Sequence, residues 1–262
     1  MLTISHLSKT FNPGTVNEKR ALTDLTLHLD PGDFVTIIGS NGAGKSTLFN
    51  AIGGSFLSDR GSIVLDGQDI TVAPEYRRAR SIGRLFQDPM KGTAPGMTIE
   101  ENLTLAAGSG GWFSRLSRAD RARFREKLAL LEIGLEDRMR QPVGLLSGGQ
   151  RQSLALLMAT MVPPKLLLLD EPTAALDPSA AEKVLRLTRE IVSEHRLTTM
   201  MITHNMRQAL ELGNRTLMMD SGRIVLDIGG EERAGLTVDD LLKRFRTGAG
   251  KDLDNDRILL SD

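Results

Sequence analysis

The chain has 262 residues, 40% of them hydrophobic and 25% charged, and its 33 basic residues balance 33 acidic ones. This composition excludes a disordered chain and an integral membrane protein, and zero net charge argues against bulk-charge binding to nucleic acid. The absence of cysteine excludes disulfides, thiol catalysis and cysteine-ligated zinc, four scattered histidines make a histidine metal site a poor expectation, and 26 glycines direct attention to backbone loops.

The N-terminal Met-Leu-Thr-Ile-Ser-His has no basic region leading into an apolar core, so no signal peptide is expected. The longest apolar run, residues 154–162, is about half a bilayer span, and a cytosolic chain that reaches a membrane only through a partner is expected. Leu25, Leu27 and Leu29 alternate with Thr26 and His28, which predicts a half-buried strand stopped by Asp30-Pro31-Gly32-Asp33. Residues 34–38 form a short apolar strand, and residues 62–66 another, ended by Gly67. Thr98 and Glu101 have capping-box spacing, predicting a helix through Ala107. Residues 108–111 read as a loop, residues 117–133 as a helix with Phe124, Leu128 and Leu131 on one stripe, and residues 149–161 as a further helix. Residues 92–162 thus read as a helical subdomain inserted into a sheet. The sheet pattern returns at residues 166–169, an unbroken apolar run of the kind found in buried parallel strands. A helix over 178–195, a strand over 199–203 and a helix over 205–212 follow, then an edge hairpin of residues 215–219 and 223–227. An amphipathic helix over 237–245 precedes a polar tail.

Three motifs carry chemistry. The run Gly39-Ser40-Asn41-Gly42-Ala43-Gly44-Lys45-Ser46-Thr47 matches G-x-x-x-x-G-K-[ST] between a strand and an apolar helix pattern. Its glycines let successive backbone N–H groups face phosphate oxygens; Lys45 is expected at the β- and γ-phosphates and Ser46 at Mg²⁺. Asp170 and Glu171 end the buried strand, where doubly wound folds place ligand chemistry. Asp170 is expected to hold Mg²⁺ and Glu171 to activate water, although taken alone the pair is equally well an acidic turn. Leu146-Ser147-Gly148-Gly149-Gln150 stands before a helix, as a capped helix start or as a second anion-binding nest.

In this order, with Gln87, Ala175-Leu176-Asp177 and Thr203-His204, the motifs resemble the ATP-binding-cassette ATPases over about residues 2–228. The resemblance implies an α/β fold: a P-loop NTPase core with a mostly parallel sheet, an N-terminal antiparallel β subdomain and the inserted helical subdomain. One ATPase domain over 1–246 and a polar tail over 247–262 follow from it. It also implies a head-to-tail dimer of two copies, in which Ser147, Gly148, Gly149 and Gln150 close over the ATP held by the partner's phosphate loop. Gln87 then touches Mg²⁺ and the water, Asp177 sits at the dimer seam, and His204 contacts the γ-phosphate. Phe11 lies where the family places an adenine-stacking aromatic, with a plain core role as the alternative. ATP and Mg²⁺ are the implied cofactors.

The same resemblance implies a separate integral membrane permease, received at residues 88–103, and a position on the cytoplasmic face of the plasma membrane. The wording of that segment is similar to the ATPases of amino-acid-type uptake systems, including a group linked to aromatic amino acids, with a solute-binding protein as a further expected partner. Two departures stand out. Ser153-Leu154-Ala155-Leu156-Leu157 lacks an arginine common in relatives, and residues 14–20 resemble cassettes of lipoprotein-releasing and peptide-exporting systems, which keeps an export reading open. A cassette acting on ribosomes or DNA is disfavoured by the single phosphate loop and zero net charge. The basic residues Arg115, Arg118, Arg121, Arg123, Arg125 and Lys127 read as a solvated helix face or as a contact for anionic lipid. Met200, Met201, Met218 and Met219 read as core.

Overall fold

A computed structural model describes residues 1–108 and 116–249. Residues 109–111 of the expected loop, Arg115 of the basic stretch and the tail from residue 250 lie outside the described residues. In chain order the elements are β1 (Leu2–Phe11), β2 (Lys19–Leu29), β3 (Phe34–Gly39), α1 (Lys45–Gly53), β4 (Arg60–Leu65), β5 (Gln68–Asp69), α2 (Glu75–Arg78) and β6 (Ile82–Leu85). Then come α3 (Ile99–Ala106), α4 (Arg118–Ala129), α5 (Gly148–Thr160), β7 (Leu166–Asp170), α6 (Pro178–His195), β8 (Thr198–Ile202) and α7 (Met206–Glu211). The chain closes with β9 (Arg215–Asp220), β10 (Arg223–Gly229), α8 (Gly230–Ala234) and α9 (Val238–Ala249). The described residues form two compact units: one of Met1–Ile82, Lys165–Glu171 and residues 196–249, the other of residues 83–108 and 116–164 with Pro172–His195.

The first unit holds two sheets. One is antiparallel in the order β2-β1-β4-β5; in the other, β9, β3, β8 and β7 run parallel, with β10 antiparallel on the edge beside β9. The α/β class and the mostly parallel sheet are therefore as expected. Side chains on one face of the parallel sheet, among them Val35, Ile37, Leu168, Met200, Ile202 and Met219, share a core with α1 and with the inner face of the antiparallel sheet. Ile38 and Met218 point to the opposite face, as period-two alternation requires, and pack with Met206 and Ala209 of α7 and Leu241 and Phe245 of α9. All four of the methionines read as core are buried.

Two arginines, Arg78 buried and Arg233 half-buried, bond the ends of helices in this unit. Arg78, 3% exposed, donates to the carbonyls of Ala51 and Ile52 at the end of α1 and to those of Thr71 and Ala73. Arg233 does the same for α7 through Ala209, Leu210 and Leu212. Helix C-termini leave carbonyls without intrahelical partners, and a guanidinium supplies several donors in one plane.

The second unit is mainly helical. Thr98 and Glu101 make the reciprocal capping box at the start of α3. Asn102, 1% exposed, bonds the carbonyls of Ala94, Met97 and Thr98 and accepts from Ala94 N–H, pinning the segment before its own helix. Helix α4 begins at its Ser117 cap but ends at Ala129, four residues short of the expected Ile133. Glu132 and Gly134 adopt left-handed φ of 53° and 70°, and Glu132 gives its carboxylate to Arg186 and its carbonyl to Lys183. Those contacts hold the chain in a turn, yet Leu131 stays buried with Phe124 and Leu128.

Candidate functional site

The phosphate-type loop is shaped by backbone contacts that exclude side chains. A β-carbon on Gly39 would lie 2.2 Å from the Met219 carbonyl oxygen, and one on Gly44 would lie 2.5 Å from that of Ala21. Gly44 caps α1 with φ 102° and no side-chain bond, so no capping side chain competes for the first-turn N–H groups that a helix start offers to an anion. The loop is also tied to the β9–β10 turn, where Gly222 N–H donates to the Ala43 carbonyl at 2.9 Å. Ser40 and Thr47 are half-buried, and Asn41, Gly42 and Ser46 are exposed.

Lys45 is 6% exposed, and its ammonium donates to the carbonyls of Gly39 at 2.6 Å and Ser40 at 3.0 Å. Burial holds this ammonium below the usual lysine range, and the charges of Glu171 and Asp170 act in the opposite sense. One ammonium thus faces two carboxylates in a buried place. That excess negative charge, with a serine hydroxyl at the start of α1, fits a divalent cation bound by hard oxygen donors. Ser46 and Asp170 are the first-unit residues suited to hold it. Among the described residues no group of three His, Cys, Asp or Glu could hold a metal ion by itself.

The turns after β7 and β8 bring Glu171 and His204 together. Glu171, 9% exposed, takes a left-handed φ of 47°, and its N–H donates to the Ile202 carbonyl at 3.1 Å. His204 Nε2 stands 2.5 Å from Glu171 Oε1. Around His204, Thr203 Oγ1 accepts from Asn205 N–H and donates to Gln208 Oε1, and Asn205 caps α7. Phe11, at the end of β1, meets the Phe56 ring edge-on at 5.3 Å, with the Lys9 ammonium 5.6 Å from its centroid, and remains partly exposed.

The remaining expected site residues belong to the second unit. Ser147 and Gln150 form a reciprocal capping box at the start of α5. Ser147 and Gly148 are exposed, and Gly149 packs so closely on α6 that a β-carbon there would lie 2.6 Å from that of Ala180. Arg151 fans over the carbonyls of Val143, Gly144 and Leu146, fixing the approach to the Ser-Gly-Gly turn. Asp177 accepts from Ala180 N–H near the start of α6. Gln87 is exposed just beyond β6, and the preceding Phe86 carbonyl accepts from Gln152. The structure therefore gathers Lys45, Asp170, Glu171 and His204 around the loop in one unit and carries Gln87, Ser147, Gly148, Gly149 and Gln150 in the other. Sequence patterns did not single out Gly222 or Lys19, which also approach the loop; neither stands in a motif with regular spacing.

Residues 22–174 match the family model described as ABC transporter. The chain is 44% identical over 249 residues to a tyrosine transport ATP-binding protein of Clostridioides difficile, covering 94% of this chain and 98% of that one. It is 38% identical over 226 residues to a methionine import ATP-binding protein of Corynebacterium efficiens, covering 84% of this chain and 60% of the relative. Among solved structures, a dimeric ATP-binding cassette in a post-hydrolysis state bound to ADP and Pi superposes with a TM-score of 0.76. That match has 28% identity and covers 87% of this chain and 98% of that one.

Proposed function

The chain belongs to the ABC transporter family, as an ATP-hydrolysing cassette, and from that premise we propose that it drives uptake of an amino acid or similar small solute through a separate permease. Similarity to a tyrosine transport subunit over nearly its whole length supports this cargo class, with aromatic amino acids first among the candidates. The likeness to a methionine import subunit also supports uptake. Among the described residues no helix is long and apolar enough to cross a membrane. The likeness to a tyrosine transport ATP-binding protein supports a peripheral subunit, placed in this reading on the cytoplasmic face of the plasma membrane. A solute-binding protein completes the proposed system, and nucleic acid has no part in it.

In this reading each residue has a role. Residues 39–47 of the glycine-rich loop and the Lys45 ammonium bind the phosphates, Lys45 exchanging its carbonyl partners for phosphoryl oxygens. Phe11 offers its partly exposed ring to adenine. Ser46 and Asp170, joined by Gln87, would hold Mg²⁺, which neutralises charge on the phosphates. Glu171 takes a proton from the water that attacks the γ-phosphorus as the bond to the β–γ bridging oxygen breaks, giving phosphate and ADP, and His204 orients that carboxylate and reaches the γ-phosphate. Ser147, Gly148, Gly149 and Gln150 of one copy close over the nucleotide of a second. ATP favours the closed dimer only by its higher affinity for that state, so hydrolysis reopens it. The domain reading stands beside this: residues 1–246 as one ATPase domain, with 92–162 as its helical insertion.

The observation that carries the proposal is the Lys45–Glu171–His204 constellation at the mouth of a glycine-shaped anion loop. The experiment is capture of tagged Glu171→Gln protein with ATP from mildly solubilised membranes, followed by mass spectrometry. Co-purification of a multi-span permease is expected, with a solute-binding protein from the same system. A permease with a large extracytoplasmic domain and no binding protein would shift the reading to export. Ribosomal or DNA-repair partners alone would overturn transport.

A further inference from the structure

We propose that Lys19 is a second cationic contact for the phosphate chain of the nucleotide. The inference rests on reading the glycine-rich loop as the nucleotide site and adds to it a residue outside the motif. Lys19 opens β2, and in the antiparallel β1–β2 pair it lies opposite Phe11. An aromatic ring and an ammonium therefore leave the same end of the sheet side by side. The ammonium reaches the loop: a β-carbon on Gly42 would come within 4.0 Å of Lys19 Nζ and of no other neighbouring atom. Lys45 is buried against the carbonyls of Gly39 and Ser40, whereas Lys19 is exposed and approaches the solvent-facing Gly42. The two cations thus differ in solvent access as well as in the part of the loop they approach.

The turn before Lys19 is held by its own bonds. Thr15 N–H donates to the Asn12 carbonyl, Glu18 N–H to the Thr15 carbonyl, and Gly14 N–H to Glu18 Oε2 at 2.8 Å. Glu18 also lies 3.6 Å from Arg20, so the neighbouring acid is engaged within the turn. Charge supplies the second argument. Lys45 already faces Asp170 and Glu171, so a further ammonium at the loop adds positive charge that favours a polyphosphate there. A lysine on a flexible stem can swing onto a phosphate oxygen at small cost, and the resulting charge-assisted bond is among the stronger polar contacts.

The test is calorimetric titration of the full-length chain with ATP and with ADP. Lys19→Gln and Lys19→Ala are expected to raise both dissociation constants about five- to tenfold, the loss of one exposed charge-assisted contact, with melting unchanged. Lys19→Arg should stay within about twofold of wild type, and the penalty of Lys19→Gln should shrink as salt is raised. Wild-type affinity in Lys19→Gln, alongside lost affinity in Lys45→Ala, would overturn the role of Lys19 and leave the nucleotide site standing. Wild-type affinity in Lys45→Ala as well would overturn the nucleotide-site reading itself.

Discussion

His204 Nε2 lies 2.5 Å from Glu171 Oε1, and strand register is what brings them there. Strands β7 and β8 pair in parallel with Asp170 opposite Ile202, and Glu171 N–H bonds the Ile202 carbonyl. The two chains leave the sheet at the same level, so residues 33 positions apart meet at its carboxyl edge. The left-handed backbone at Glu171 turns its carboxylate toward the imidazole, a costly conformation for a residue with a β-carbon and one that recurs at functional sites.

Removing the imidazole leaves Glu171 without this orienting contact. His204→Ala is expected to lower kcat by about 10²-fold or more, and Glu171→Gln by more still, while ATP affinity stays within about threefold of wild type. Phosphate-release kinetics with a parallel binding titration checks this. A His204→Ala protein turning over at the wild-type rate would show that the contact has no catalytic role.

Ser147 is exposed and already bonded within its capping box, so a large cation there leaves the chain's own phosphate loop untouched. Ser147→Arg, placed in the Glu171→Gln background, should bind ATP as a monomer and fail to dimerise with it. Light scattering with and without ATP gives the answer; ATP-driven dimers of normal stability would remove the composite site from the mechanism.

Gly149 and Ala180 bring α5 and α6 into close contact, with 2.6 Å left for an added β-carbon. Gly149→Val should force the helices apart and cost about 1–3 kcal/mol of stability, an overpacking penalty. Denaturant unfolding measures it. A neutral result would mean that the helices separate freely.

Arg78 satisfies four carbonyls while almost fully buried. Arg78→Met keeps the apolar stem and strands those acceptors, at an expected cost of about 2–4 kcal/mol. Equilibrium unfolding should show a lower midpoint at similar slope. Unchanged stability would mean that the end of α1 finds other donors.

Asp59 accepts hydrogen bonds from Lys9 and from Thr10 N–H, which hold its carboxyl below the ordinary 3.8. Because the folded-state value is the lower one, the stabilisation is full above 3.8 and is lost as pH falls through the folded value. The pair is partly exposed, so Asp59→Asn should cost about 1 kcal/mol or less at neutral pH, and the deficit should close in acid. Melting curves of the two proteins over this pH range check the sign, and a deficit that grew in acid would contradict it.

Much of this was legible from local chemistry. The phosphate loop needs glycine where backbone approaches backbone, and Gly39 and Gly44 sit against the carbonyls of Met219 and Ala21. The capping boxes at Thr98 and Ser147 are likewise written in residues three apart. Helix α4 was less legible: its apolar stripe continues to Leu131, but the contacts of Glu132 with Arg186 and Lys183, more than fifty positions away, turn the chain first. Nothing in the local pattern marks Arg78 and Arg233 as plugs for helix ends, because the carbonyls they bond reach 27 and 24 residues away.

The sequence by itself determined the chemistry available: a glycine-rich loop, a lysine, two carboxylates after a buried strand, a histidine after another and a second glycine turn. Each depends on backbone geometry or side-chain type within a few residues, where spacing is sufficient information. The tertiary structure alone decided which of these groups meet. Parallel register joined Glu171 to His204, burial of Lys45 set its ammonium against Glu171 and Asp170, and the β1–β2 register put Lys19 beside Phe11 and over Gly42. Such encounters depend on strand order and packing, which long-range contacts set and which no local spacing encodes.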